Sequence, residues 1–253
     1  EIFAVTGIDG FEIGDTFSDF ENPEALPMIS IDEPTMSMLF SINNSPFFGK
    51  DGKFVTSRHL RDRLYKETEK NLALRVDETG SPDAYNVYGR GILHLSILIE
   101  TMRREGYELA VSRPRVVFHE ENGVKQEPYE NLTVDVEDNT QGAVMEELGK
   151  RKGELLDMVS DGKGRTRLEY RIPARGLIGF QGDFLTMTRG TGLMSHTFDA
   201  YGPVKDGILG ERHNGVLISQ DDGDAVAYAL WKLQDRGRMF VSPGEPLYEG
   251  MII

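Results

Sequence analysis

One order of elements is written twice in this chain, and that repetition limits the folds open to it more than any single motif does. In the first copy, residues 28 to 42 (MISIDEPTMSMLFSI) alternate as strands do, around a break at Pro34. NNSPFFGKDGK follows as a loop punctuated by Pro46, Gly49 and Gly52. Thr56 or Ser57 is placed to cap a helix on which Leu60, Leu64 and Leu72 recur at multiples of four. LALRVDET and AYNVYGRG predict two strands about a GSPD turn. Ile92, Leu95, Leu98, Ile99 and Met102 form the strongest helical stripe in the chain, closed by Arg103, Arg104 and Gly106. ELAVSRPRVVF supplies a last strand.

The second copy begins after the turn EENGVKQEP, with YENLTVDVE alternating as a strand. Thr140 to Lys152 reads as a helix with Lys150, Arg151 and Lys152 at its C-terminal end and Gly153 as its stop. ELLDMVSDG and RTRLEYRIP make strands about Asp161-Gly162-Lys163-Gly164; a glycine-rich helix and the strand LMSHTFDAY complete the set. A βαββαβ order found twice, without a repeat of residues, predicts an α+β chain built of two tandem ferredoxin-like modules. In residues 204 to 253 the apolar runs NGVLIS, GDAVAYALWKLQDRG, RMFVSPG and PLYEGMII, separated by Gly and Pro, predict strands of part of a small β-rich domain, with Trp231 as its core anchor. The apolar stretches EIFAVTGI and LYEGMII at the two ends read as cuts through a longer protein.

The glycine-rich segment RIPARGLIGFQGDFLTMTRGTGLM, Arg171 to Met194, places Leu177, Phe180 and Phe184 on one helical face and Gly176, Gly179 and Gly182 on a neighbouring stripe. An interior glycine costs a helix up to about 1 kcal/mol against alanine, so the stripe predicts close packing of this helix against its surroundings. Phosphate binding is the weaker reading, because the dinucleotide fingerprint needs a G-x-G-x-x-G turn directly after a strand and an acid about 20 residues on. There is no P-loop, nucleophile elbow or H-E-x-x-H helix, so no nucleotide site and no catalytic residue is assigned. The chain has no cysteine, which rules out disulfides and thiolate metal sites. The five histidines are scattered; His94, beside an apolar stripe, reads as a satisfied core or interface residue. No cofactor or metal is expected on these residues. No apolar run reaches membrane-spanning length and no signal-like segment opens the chain, which reads as cytoplasmic.

A net charge of −14 argues at first against a nucleic-acid partner and keeps open an acidic protein-interaction module with no RNA role. The charge is uneven, however: residues 1 to 49 hold nine acids and no Lys or Arg. Basic groupings stand elsewhere. Arg58, Arg61 and Lys66 stud the first helix; Lys150, Arg151 and Lys152 end the third; Lys163, Arg165 and Arg167 occupy the hairpin before the glycine-rich helix; Arg212, Arg236 and Arg238 lie in the C-terminal part. On the hairpin strand, alternation puts Arg165, Arg167, Glu169 and Arg171 on one face and Leu168, Tyr170 and Ile172 on the other. Groupings on both modules point to an RNA-facing surface with these cations as its contacts.

NNSPFFGKDGKFVTSR, GRGILHLSILIETMRREGYEL, GKGRTRLEYRIPARGLIGFQGDFLTMTRGTGL, NGVLIS and LQDRG together resemble the BipA (TypA) family of translational GTPases over essentially the whole length. The resemblance implies that residues 1–26 are the tail of a β-barrel domain and that 27–120 and 125–203 are ferredoxin-like domains similar to the third and fifth of elongation factor G. Residues 204–253 would open the family's own C-terminal domain. It further implies a ribosome-binding factor acting in large-subunit assembly and in translation under stress or cold. Its partners would be the ribosome, rRNA and A-site tRNA, and GTP and Mg2+ would be held by a GTPase domain outside these residues. An elongation factor G or LepA relative is the alternative, disfavoured by NGVLIS and LQDRG. Two departures stand out. Ile92 replaces the acid of the family's Gly-Glu-Leu-His-Leu, and Gln181, Gly182 and Asp183 stand where many members have Arg, a small hydroxyl residue and Glu.

Overall fold

A computed structural model describes residues 4–7, 13–27, 33–207 and 215–253. The chain divides into two compact units, Glu1–Gly210 and Glu211–Ile253. In the larger unit the first module runs β1 (Met36–Ile42), α1 (Ser57–Thr68), β2 (Arg75–Glu78), β3 (Ala84–Gly89), α2 (Ile92–Glu105) and β4 (Leu109–Val111). The sheet order is β2-β3-β1-β4 with every pairing antiparallel, the ferredoxin-like topology. Thr56 caps α1 by accepting the His59 N–H at 3.3 Å, and Leu60 and Leu64 turn inward one helical turn apart. Leu72 lies beyond the end of α1 and is 42% exposed, so it is no part of that stripe. Leu95, Leu98 and Met102 of α2 meet Phe40 and Val87 in the core, and α2 stops at Gly106 in the left-handed conformation (φ 93°). The single last strand expected over ELAVSRPRVVF is two strands, β4 and β5 (Arg115–Val116), both paired with β1. Pro114 falls between them and lacks the N–H that a continuous ladder needs.

The second module comprises β6 (His119–Glu121), β7 (Val124–Glu137), α3 (Asp138–Lys150), β8 (Glu154–Ser160), β9 (Arg165–Pro173), α4 (Phe180–Met187) and β10 (Leu193–Pro203). The same antiparallel order returns as β10-β7-β9-β8, with β6 added beside β7. Asn122 (φ 53°) and Gly123 (φ 76°) form the β6–β7 turn, the paired positive dihedrals of a two-residue hairpin. Leu132, Val134, Leu168, Ile172, Val144, Leu148, Phe180 and Phe184 fill its core. The short helical turn Ala174–Leu177 ties the modules together: Ala174 and Ile178 pack into the core of the first. α3 ends with Lys152 in the left-handed conformation (φ 64°), and Gly153 follows, its N–H donating to Leu148 O at 2.8 Å.

The glycine stripe is not one helix face. Gly179 adopts φ 75° between the 174–177 turn and α4, a conformation that ends any continuous helix there, and a Cβ on Gly179 or Gly182 would meet nothing within 4 Å. Close approach belongs to other glycines. A Cβ at Gly176 would lie 2.8 Å from Arg151 O, and one at Gly192 2.6 Å from the Phe184 ring.

In the smaller unit, β11 (Gly223–Asp224) pairs with β12 (Pro246–Leu247), and Ile218 bridges Ile252. The run AVAYALWKL is not a strand: α5 (Ala227–Leu233) is helical, as its Ala, Leu and Lys content favours, and an apolar run alone does not separate the two states. Trp231 is 60% exposed and stacks on Tyr228 at 5.8 Å; the buried positions are Ala225, Val241 and Ile253. Described residues 4–7 and 13–27 carry no strand, and residues 1–3, 8–12 and 28–32 of the expected strands lie outside the described residues.

Candidate nucleic-acid interface

Strand alternation makes β9 two-faced. Thr166, Leu168, Tyr170 and Ile172 face the helices and are buried, which leaves Arg165, Arg167, Glu169 and Arg171 on the open side of the sheet. These arginines differ in what they touch. Arg165 donates to Asp135 at 2.5 Å, to Asp135 O at 3.1 Å and to Thr191 O at 3.2 Å. Arg171 donates to Asp199 at 2.7 Å and lies over the Tyr129 ring at 4.2 Å. Arg167, between them, is exposed and has no ion-pair partner among the described residues.

The β8–β9 turn is stiffened from within. Asp161 accepts the N–H groups of Lys163 at 2.7 Å and Arg165 at 3.0 Å, and those donors hold its carboxyl below the usual carboxylate range. Asp138 N–H, at the start of α3, donates to Gly164 O at 3.1 Å and fixes the turn to the helix. Lys163 projects from this held turn, exposed and unpaired among the described residues. Gly162 and Gly164 supply the positive φ values, 67° and 101°, that the reversal requires.

The other groupings resolve differently. Arg151 is not a surface cation. Its side chain is 8% exposed and four of its five N–H groups are taken, by Glu147, Gly176 O, Ile178 O and Asp183. Nothing in the local sequence warns of this, because Lys150 and Lys152 on either side do reach solvent, Lys150 in an exposed pair with Glu146. On α1, Arg58 and Arg61 form loose exposed contacts with Asp62 (3.8 Å) and Glu78 (3.6 Å), and Lys66 is exposed. Arg63 on the same helix is bound to Glu105 and Glu67. In the smaller unit Arg236 and Arg238 are exposed and line a hollow of about 550 Å³ with Leu217, Phe240 and Ile252. Arg212 lies outside the described residues.

Two residues stand out only in the structure. Arg189, at the end of α4, is exposed with φ 52°; its one sequence signal is a cation directly before the glycine of a helix terminus. Glu108 accepts four hydrogen bonds from the 43–52 loop, a role that nothing in its local sequence marks. His94 is held at both ring nitrogens: its Nδ1 accepts the Arg90 N–H, so Nε2 carries the proton and, 2.8 Å from the Asn71 side-chain amide, donates once that amide turns its oxygen inward, while burial pushes the His94 pKa down. Among the described residues no three His, Asp or Glu side chains gather as a metal site, and no helix is long and apolar enough to cross a membrane.

The twin antiparallel βαββαβ modules define an α+β protein of tandem ferredoxin-like domains, and residues 124–212 match the family described as elongation factor G C-terminus. Residues 214–253 match the TypA/BipA C-terminal domain, and the chain belongs to the BipA/TypA family. Over all 253 residues it is 60% identical to the large ribosomal subunit assembly factor BipA of Escherichia coli K12. The identity is 57% to the protein of that name from Haemophilus influenzae and 51% to that from Buchnera aphidicola. The chain spans 42%, 41% and 42% of the lengths of these three relatives.

Proposed function

We propose that this chain is the ribosome-binding part of a translational GTPase that acts in large ribosomal subunit assembly and in translation under stress or cold. On this reading the chain binds rRNA and A-site tRNA on cytoplasmic ribosomes and does not itself hydrolyse GTP. GTP and Mg2+ are held by the part of the relatives' length that it does not span. The partition into a β-barrel tail (1–26), two ferredoxin-like domains (27–120 and 125–203) and the opening of a C-terminal domain (204–253) belongs to the same proposal.

The observation that carries it is the β8–β9 hairpin: a turn braced by Asp161 and by the α3 terminus that holds Lys163 and Arg167 outward with no acid paired to either among the described residues. Phosphates draw their affinity from such cations, and binding then falls steeply with salt. The name that the relatives carry, large ribosomal subunit assembly factor, supports the choice of partner.

Cosedimentation with purified large ribosomal subunits, from about 50 to about 200 mM salt, tests it. The chain should pellet at low salt, and Lys163→Gln/Arg167→Gln should weaken binding and lower the log–log salt slope by roughly 0.7 to 0.9 for each phosphate that is no longer neutralised. Arg165 is left intact because it holds Asp135 and Thr191 O inside the fold. A chain that fails to pellet even at low salt refutes the reading and returns the acidic protein-interaction module.

A further inference from the structure

The α4–β10 loop, Thr188 to Gly192, comes to the same end of the second module as the β8–β9 turn. Arg165, from the foot of β9, donates to Thr191 O at 3.2 Å, and Leu193, Asp135 and Arg167 stand in register across β10, β7 and β9. Arg189 projects from that loop, exposed and without an ion-pair partner among the described residues. We propose that Arg189 is an RNA-phosphate-binding residue, and that with Lys163 of the β8–β9 turn and Arg167 of β9 it forms one anion site at this end of the module. The inference rests on the ribosome-binding reading and extends it to a residue outside the hairpin.

The backbone at Arg189 is the reason to look for a function there. α4 closes with Gly190 N–H on Leu185 O (2.8 Å) and Arg189 N–H on Thr186 O (3.2 Å), which puts residue 189 at the left-handed position where helices ordinarily place glycine. An L residue is strained there, as Lys152 (φ 64°) is at the end of α3; such strain persists where surrounding bonds impose it and it gathers at ligand-binding sites. A cation at a helix C-terminus also favours the helix dipole, so a purely local role for Arg189 is the competing account. The acids at this end are largely engaged. Asp135 holds Arg165, Asp161 caps its own turn, and Asp138 accepts the Thr166 hydroxyl at 2.8 Å. Glu137 on β7, Glu169 on β9 and Asp157 on β8 also stand near Arg165 and Arg167, and none of their carboxylates pairs with a cation among the described residues.

The test is Arg189→Gly beside Arg189→Lys in the 253-residue chain, with purified large ribosomal subunits as the probe and the melting temperature measured in parallel. Glycine relieves the backbone and removes the charge, so Arg189→Gly should melt at the same temperature or higher. It should bind roughly five- to eightfold more weakly at about 0.1 M salt, with the salt slope reduced by about 0.7 to 0.9. Arg189→Lys should keep the slope. If the unmodified chain binds and Arg189→Gly binds equally well with the same slope, the inference is wrong and the ribosome-binding reading stands. If Arg189→Gly lowers the melting temperature and leaves the slope intact, the side chain serves the helix end and the inference is again wrong. An unmodified chain that does not bind ends both.

Discussion

Replacing Glu108 by Gln should loosen the 43–52 loop, and the size of the effect follows from the bonds made. One carboxylate oxygen accepts Asp51 N–H at 2.8 Å and Gly52 N–H at 2.7 Å; the other accepts Gly49 N–H at 2.8 Å and the Asn43 amide at 3.2 Å. A glutamine keeps one oxygen and turns an NH2 group towards two donors, so two bonds go and the two that remain lose their charge. Bonds to an ionised group contribute about 1.5 to 3 kcal/mol each, but water reaches this loop and replaces part of what is removed, leaving a net cost of about 2 to 3 kcal/mol. In a unit of this size that corresponds to a fall of roughly 5 to 10 °C in melting temperature. The pH dependence has a definite sign. The backbone donors, Gly52 first, lower the Glu108 pKa from 4.5 to about 2. Its stabilisation is therefore complete above about 4.5 and disappears as pH falls through about 2, where wild type and variant should converge. Calorimetry across that range, with amide exchange read at Gly49, Asp51 and Gly52, is the assay. Equal melting temperatures at neutral pH, with unchanged exchange at those amides, would refute the argument.

Two glycines in the same segment should respond in opposite directions. Gly176→Ala puts a methyl 2.8 Å from Arg151 O and should cost about 1 to 3 kcal/mol, whereas Gly182→Ala lies inside α4 with nothing within 4 Å and should gain up to about 1 kcal/mol. Urea denaturation of both variants decides this, and a shift of the same sign in the two would contradict it. Arg151→Met should cost about 3 kcal/mol by stranding Gly176 O, Ile178 O and Glu147. It should leave the salt slope of ribosome binding unchanged, and a reduced slope would restore Arg151 as a phosphate contact.

The fold is legible where periodicity and punctuation agree. Leu95, Leu98 and Met102 mark a helix that Gly106 closes, and Arg165 to Ile172 alternates as its strand does, so both βαββαβ units can be traced in the sequence. Periodicity misleads where a conformational break interrupts it. Gly176, Gly179 and Gly182 share a spacing of three, but a left-handed residue at 179 divides them, and the spacing carries no information about dihedral sign. AVAYALWKL is a third kind of case, because apolar side chains on consecutive positions suit either a buried strand or a short helix. The interface is half legible. Sequence locates cations but not their partners, and Asp183 and Gly176, which occupy Arg151, lie 32 and 25 positions away from it.

That distinction bears on the net charge of −14, the strongest argument against an RNA partner. Many acids are internal counter-ions: Glu105 and Glu67 hold Arg63, Asp183 and Glu147 hold Arg151, Asp135 holds Arg165, Asp199 holds Arg171, and the fully buried Glu127 holds Arg175. These seven acids are matched to five arginines within the fold, so the total says little about which charges a partner meets at any one place. What a phosphate would meet at the hairpin end on the proposed reading is Lys163 in the turn, Arg167 on β9 and Arg189 in the α4–β10 loop, all three exposed. Binding through an acidic protein-interaction surface or through a phosphate-binding end strengthens as salt is lowered, but only a phosphate-binding end loses salt slope when Lys163, Arg167 or Arg189 is neutralised.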